Sequence, residues 1–237
     1  MFERRIDVTF MRYRIHSHND IHLDYCLSGK NPRIFITAGI HGDELGVIDS
    51  LEKAVGKYAS RLPSYLFVPR MCPSAILQKT RVNRDGVDIN RHFFNDAPVR
   101  EVQAIQSLFR EYHFITGFSF HEDPCQDCFY MYDSAHFVTK KARARFVGEL
   151  GKMGVQLFDG VDDPEDATLG HRVRRGIVHV PPGREHADKG TFESWAIGNV
   201  IVQHIIVPEV PGKSLQAIKD KLVDAFFRRV ILGEKYL

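Results

Sequence analysis

The segment RIFITAGIHGDELG, residues 33–46, decides how the rest of the chain is read. Its first half is a short apolar run, the pattern of a strand buried on both faces. Glycine then allows a tight turn at Gly39 and Gly42. An imidazole, His41, and a carboxylate, Glu44, stand directly beyond. Residues 43–58 carry apolar positions at helical spacing. A buried strand that runs through a polar turn into a helix is the opening unit of an α/β sheet. In such sheets ligands sit outside the carboxyl ends of the strands, where His41 and Glu44 fall.

The same alternation continues in both directions. SYLFVP (64–69) reads as a strand stopped by proline, and 99–112 as an amphipathic helix. FITGFSF (114–120) is another buried strand, and 140–154 is helical with glycine near its end. NVIVQHIIV (199–207) is strongly β-branched and is expected to stop at Pro208; 214–232 closes the chain as a helix. The expected fold is therefore α/β, a mixed, mostly parallel sheet with helices on both faces. With 237 residues and no repeat, linker or low-complexity stretch, one domain over 1–237 is expected.

Composition excludes several function classes. A net charge of +2 leaves no electrostatic footprint for nucleic acid or an anionic membrane. No run approaches the 18 apolar residues of a spanning helix, and the N-terminal MFERRIDVTFMRYR lacks the apolar core of a secretory signal. The four cysteines, Cys26, Cys72, Cys125 and Cys128, are too dispersed for a disulfide scaffold, so reduced thiols in a cytoplasmic protein are expected. Cys125 and Cys128 form one CxxC, but a structural zinc needs a second ligand pair and none is suitably spaced. The aromatic CFYMY that follows reads as a strand, whereas a redox CxxC opens a helix.

The chemistry concentrates at strand ends. His41 and Glu44, in HxxE spacing at the start of the expected helix, point the same way and can meet one ion, and His121 follows the strand at 114–120. Two histidines and a glutamate form a ligand set that leaves zinc a fourth position for water. Glu209 follows the late strand and is placed to act as general base. Residues 80–93, TRVNRDGVDINRHF, add a polar loop. There Asn90 and Arg91 can clamp a carboxylate, and Arg81 can stabilise an oxyanion.

HGDE, then TRxNxxGVDxNRxF, then a strand-end histidine and a late glutamate together resemble the zinc carboxypeptidase family, over roughly residues 33–210. The family includes digestive carboxypeptidases and bacterial murein peptide amidases, with the desuccinylases and aspartoacylases as a related branch. The resemblance implies an eight-stranded mixed sheet and one zinc on His41, Glu44 and His121. It also implies a terminal-carboxylate clamp at Asn90 and Arg91, a carbonyl-polarising Arg81 and a catalytic Glu209. The expected substrate is a peptide or acyl amino acid with a free carboxylate. Alternatives are an N-acyl amino acid deacylase, a γ-D-glutamyl murein peptide amidase, or a zinc- or carboxylate-binding module without turnover.

The sequence departs from this pattern in one place. The family's mobile tyrosine has no counterpart in 181–199, where Glu185 or His186 stands near its position. GTFESW (190–195) resembles the segment lining the side-chain pocket, which puts Phe192 or Glu193 toward the substrate. Tyr130 and Tyr132 read as strand packing, and Glu122 or Asp123 is a candidate to orient a zinc-binding histidine.

Overall fold

The computed structural model describes residues 12–134, 137–163, 165, 170–180 and 190–233. The chain opens with a hairpin, β1 (Tyr13–His18) and β2 (Ile21–Leu27). There follow β3 (Ile34–Thr37), α1 (Leu45–Tyr58), β4 (Tyr65–Val68), α2 (Pro73–Gln78), α3 (Arg100–Phe109), β5 (Phe114–Ser119), β6 (His121–Asp123) and β7 (Tyr130–Ser134). Then come α4 (Lys140–Lys152), β8 (Gly160–Val161), β9 (Arg172–Val173), β10 (Ile177–Val180), α5 (Phe192–Gly198), β11 (Val202–Pro211) and α6 (Gln216–Phe226), which runs into a π-helical turn at Phe227–Ile231.

Eight strands run in the order β1-β2-β4-β3-β5-β11-β7-β10, and β6 pairs with β11 as a ninth. The eight-strand path agrees with the expected sheet, and among the described residues β6 lies off it as a short segment on β11. The β4, β3, β5 and β11 core is parallel, while β1, β2 and the β11–β7 pairing are antiparallel. Strand alternation sorts the core into two layers. Ile34 and Ile36 face a cluster with α1, α4 and α6, and Phe35 faces one with α3 and α5. The Phe35 ring meets Phe109, Phe114 and Phe192 edge-on at 5.2–5.6 Å between centroids.

Strand order reverses between β3 and β5. The chain leaves β3 through α1 to β4 on one side, and later returns through α3 to β5 on the other. This is a topological switch point, where a crevice opens beyond the strand ends. Gly39 turns the chain there with φ +67. Gly42 serves differently from the tight turn expected of it. It is absent from the positive-φ residues, and a Cβ would lie 2.0 Å from the Ala75 carbonyl, so it permits close approach to α2.

Pro208 does not end its strand, contrary to expectation. β11 pairs with β5 up to Ile206 and with β6 from Glu209, and Pro208, which has no N–H to donate, falls in the gap between them. Glu209 is thereby held inside the strand, opposite His121 on one side and Tyr130 on the other.

Candidate active site

The cleft at the switch point has a volume of about 830 Å³ and gathers residues from six separate parts of the chain. His41, Glu44, Arg81, Asn90, Arg91, His121 and Glu209, all singled out from sequence, line it. At its floor the donor atoms of His41, Glu44 and His121 lie within 4.8 Å of one another, and all three residues are buried. Glu44 immediately precedes α1, so His41 reaches it across a turn rather than along a helix face.

Both histidines point the same ring atom inward. His41 Nδ1 lies 2.5 Å from Glu44 Oε1, and His121 Nδ1 lies 3.3 Å from Glu44 Oε2. Each outer nitrogen meets a different carboxylate: His41 Nε2 is 3.3 Å from Asp88 Oδ1, and His121 Nε2 is 3.4 Å from Glu193 Oε1. Ser119 Oγ donates to the same Glu193 oxygen at 2.6 Å. Imidazoles that bind a metal through one nitrogen commonly donate the other N–H to a carboxylate, which fixes the tautomer. The donor set therefore fits a divalent cation, with His41 Nδ1, Glu44 and His121 Nδ1 turned toward it.

The electrostatics agree. Burial alone would raise the Glu44 carboxyl, but the two imidazoles outweigh it and hold it well below the usual range. Burial also opposes charge on both imidazoles, yet Glu44 and the outer carboxylates raise them. Asp88 is likewise held low against its burial, by His41, Arg81 and Arg91. Glu209 goes the other way. Burial pushes it up to about 8; Glu44 and Asp123 add to this, against the pull of His121 and His41.

This raised value has a consequence for the metal-free protein. The folded Glu209 carboxyl titrates near 8 and an unfolded one near 4.5, so the native state keeps a proton that the unfolded chain releases. Stability from this group is complete below the lower value and is lost as pH rises through the upper one. Thermal melts without metal should show wild type and Glu209→Gln coinciding at low pH. Wild type should then fall progressively below the variant as pH approaches 8. Parallel curves across that range would refute the assignment.

The loop at 80–93 is built from its own polar residues. Asn83 Oδ1 accepts from the N–H groups of Asp85 and Val87, and Gly86 turns with φ +76. Asp88 Oδ1 accepts from Asn90 N and starts a 3-10 turn, Ile89–Arg91. Arg81 donates to Asp88 Oδ2 from both Nε and Nη2 at 2.9 Å. Asn90 Oδ1 accepts from Phe192 N at 2.8 Å, fastening the loop to α5. Asp88 thus joins a histidine of the cluster to Arg81. In the sequence Asp88 is marked only by its place in the arginine- and asparagine-rich loop, two residues before Asn90.

Other expectations need correction. Neither Glu122 nor Asp123 provides the outer acceptor for a histidine; Asp88 and Glu193 stand there. Phe192 is fully buried among aromatic rings, and Glu193 is the member of that pair facing the cleft. Tyr130 and Tyr132 do more than pack: both line the cleft, and their hydroxyls donate to Asp123 and Asp162. Glu185 and His186 lie outside the described residues. Cys125 and Cys128 are free thiols in the connection between β6 and β7, and neither joins a metal-type cluster among the described residues.

Neither a protein-family model nor a curated protein sequence matches the chain. Solved structures do. A "putative metallopeptidase" from Shewanella amazonensis SB2B superposes with a TM-score of 0.70 at 18% identity, covering 93% of this chain and 87% of that one. The chain therefore shares its fold with solved structures described as putative metallopeptidases and carboxypeptidases. The murein-tripeptide amidase MpaA from Escherichia coli O157 shares it with a TM-score of 0.56 and 18% identity, over 94% of this chain and 96% of that one. A metallo-carboxypeptidase from Burkholderia cenocepacia gives 0.56 and 14%, over 88% and 60%. No helix among the described residues is long and apolar enough to cross a membrane.

Proposed function

We propose that this protein is a zinc-dependent hydrolase of the carboxypeptidase type, cleaving an amide bond next to a free carboxylate. The observation that carries this reading is the buried His41–Glu44–His121 cluster. Both Nδ1 atoms turn inward there, and both Nε2 atoms are met by carboxylates. A zinc ion in that set would polarise a carbonyl and acidify a coordinated water. Asn90 and Arg91 hold the substrate's carboxylate and so fix which bond lies over the cluster. Arg81 faces the carbonyl oxygen as negative charge develops on it. Glu209 takes a proton from the attacking water and returns it to the leaving nitrogen.

Peptides are the first substrates to try, since the structural neighbours include carboxypeptidases and an amidase. A second reading, a murein-peptide amidase, draws on the fold shared with MpaA. This chain and MpaA cover each other almost completely, whereas it spans 60% of the Burkholderia carboxypeptidase.

Metal content of the purified protein beside His41→Ala tests the proposal. Wild type should hold about one zinc per chain and the variant far less, since one of three protein ligands is gone. The same preparation should then cleave C-terminal peptides, γ-D-glutamyl peptides or N-acyl amino acids, and the preferred class separates the enzymatic readings. A wild type that takes up no zinc on reconstitution would end the proposal.

A further inference from the structure

Lys219 lies in α6, 97 residues beyond Glu122, yet its Nζ stands 2.5 Å from Glu122 Oε1. The two side chains are each about 8% exposed. Lysine and glutamate are seldom buried this far, and such pairs are weak contributors to net stability. Their surroundings suggest a different use. The second Glu122 oxygen accepts from Val47 N, in the first turn of α1, at 2.8 Å. The Glu122 backbone N–H donates to Glu44 Oε2 at 3.2 Å. Glu122 therefore grips the start of α1 with its side chain and the Glu44 carboxylate with its backbone, one residue after His121.

The packing around this pair is close at Gly46. A Cβ on Gly46 would stand 2.8 Å from Glu122 Oε2 and 2.9 Å from Lys219 Cδ. A side chain at position 46 would press on both members of the pair. Gln216, also in α6, donates to the Gly46 carbonyl at 2.9 Å and flanks the same passage.

We infer that Lys219 and Glu122 are positioning residues for the cation site, a brace from the C-terminal helix that fixes the Glu44 carboxylate and so sets metal affinity. This rests on the proposed ligand roles of His41, Glu44 and His121. The brace differs from the other polar links between α1 and α6. Asp220 meets Ser50 and Lys53, and Asp224 meets Lys57 and Tyr58. These links join the two helices farther along, away from Glu44. They supply the control.

The test is the zinc dissociation constant, read by competition with a chromophoric chelator, together with the melting temperature of each metal-free protein. Wild type, Lys219→Met, the double variant Glu122→Gln/Lys219→Met and Lys57→Met are compared. Lys57→Met should bind zinc like wild type even if it melts lower. Lys219→Met should bind about 10–100-fold more weakly, the usual effect of removing a group that orients a ligand. The double variant leaves no unpaired buried charge and should also bind weakly. A folded Lys219→Met with wild-type affinity would overturn the brace. Should that variant fail to fold, the double variant decides, and wild-type affinity there overturns it equally. A wild type that binds no zinc would instead remove the ligand assignment, and the brace with it.

Discussion

Replacing Glu209 with glutamine should lower turnover by about 10²–10⁴-fold while leaving metal content unchanged, the range that loss of a positioned general base produces. Three observations make the substitution clean. Glu209 is not one of the three clustered donors, so the metal set stays intact. Its backbone is fixed on both sides, by β6 at His121 and by β7 at Tyr130, so the amide should occupy the same place. It lines the cleft beside the cluster, within reach of a substrate held there. Its high carboxyl value, about 8 in the absence of metal, reflects burial and the neighbouring Glu44 and Asp123. A cation among the ligands adds positive charge and favours the carboxylate form, moving the group toward the neutral range that suits a base. Metal content and steady-state rates on the best substrate measure the outcome. Full activity in Glu209→Gln would remove the base from this residue, and loss of metal would make it a ligand instead.

How far the sequence could reach follows from what each residue depends on. His41, Glu44 and His121 were legible because each stands just past an apolar run, and α/β sheets gather such ends into one crevice. The buried strands at 33–39, 64–69 and 114–120 announce themselves by continuous apolar character, as parallel strands covered on both faces do. The hairpin β1–β2 went unread because YRIHSH is largely exposed and offers no apolar face, and the alternation of buried Ile21 and Leu23 with exposed His22 and Asp24 in IHLDYCL is short. Pro208 misled because its effect depends on which neighbour lies beside it, and the β5–β6 gap exists only in the assembled sheet. The outer carboxylates were hidden for a similar reason. Asp88 and Glu193 meet the two histidines from 47 and 72 residues away, so the polar loop and the GTFESW segment that hold them could place them near the cleft but could not pair either with a histidine. Glu122 was placed beside His121 by sequence proximity. Its side chain turns to Val47 and Lys219 instead.

Arg81→Ala should lower kcat by about 10²–10³-fold, the cost of removing one preorganised oxyanion donor, and Arg91→Ala should act mainly on KM. The two arginines stand in one loop, but their settings separate them. Arg81 is held by two nitrogens on one Asp88 oxygen, whose partner oxygen faces His41 Nε2. The guanidinium is therefore oriented relative to the cluster, where negative charge would develop on a carbonyl. Arg91 donates to the Asn90 carbonyl from the adjoining 3-10 turn, and Asn90 is fastened to α5 through Phe192. That pair is suited to a carboxylate present in ground state and transition state alike, and uniform binding of this kind appears in KM. Arg81→Lys should recover little, because an ammonium cannot reproduce the planar two-nitrogen pairing with Asp88. Zinc content of Arg81→Ala must be measured alongside, since loosening Asp88 could disturb His41. An unchanged kcat in a fully metallated Arg81→Ala would exclude this arginine from carbonyl stabilisation. A loss carried by KM alone, and restored by lysine, would place Arg81 in the carboxylate clamp beside Arg91.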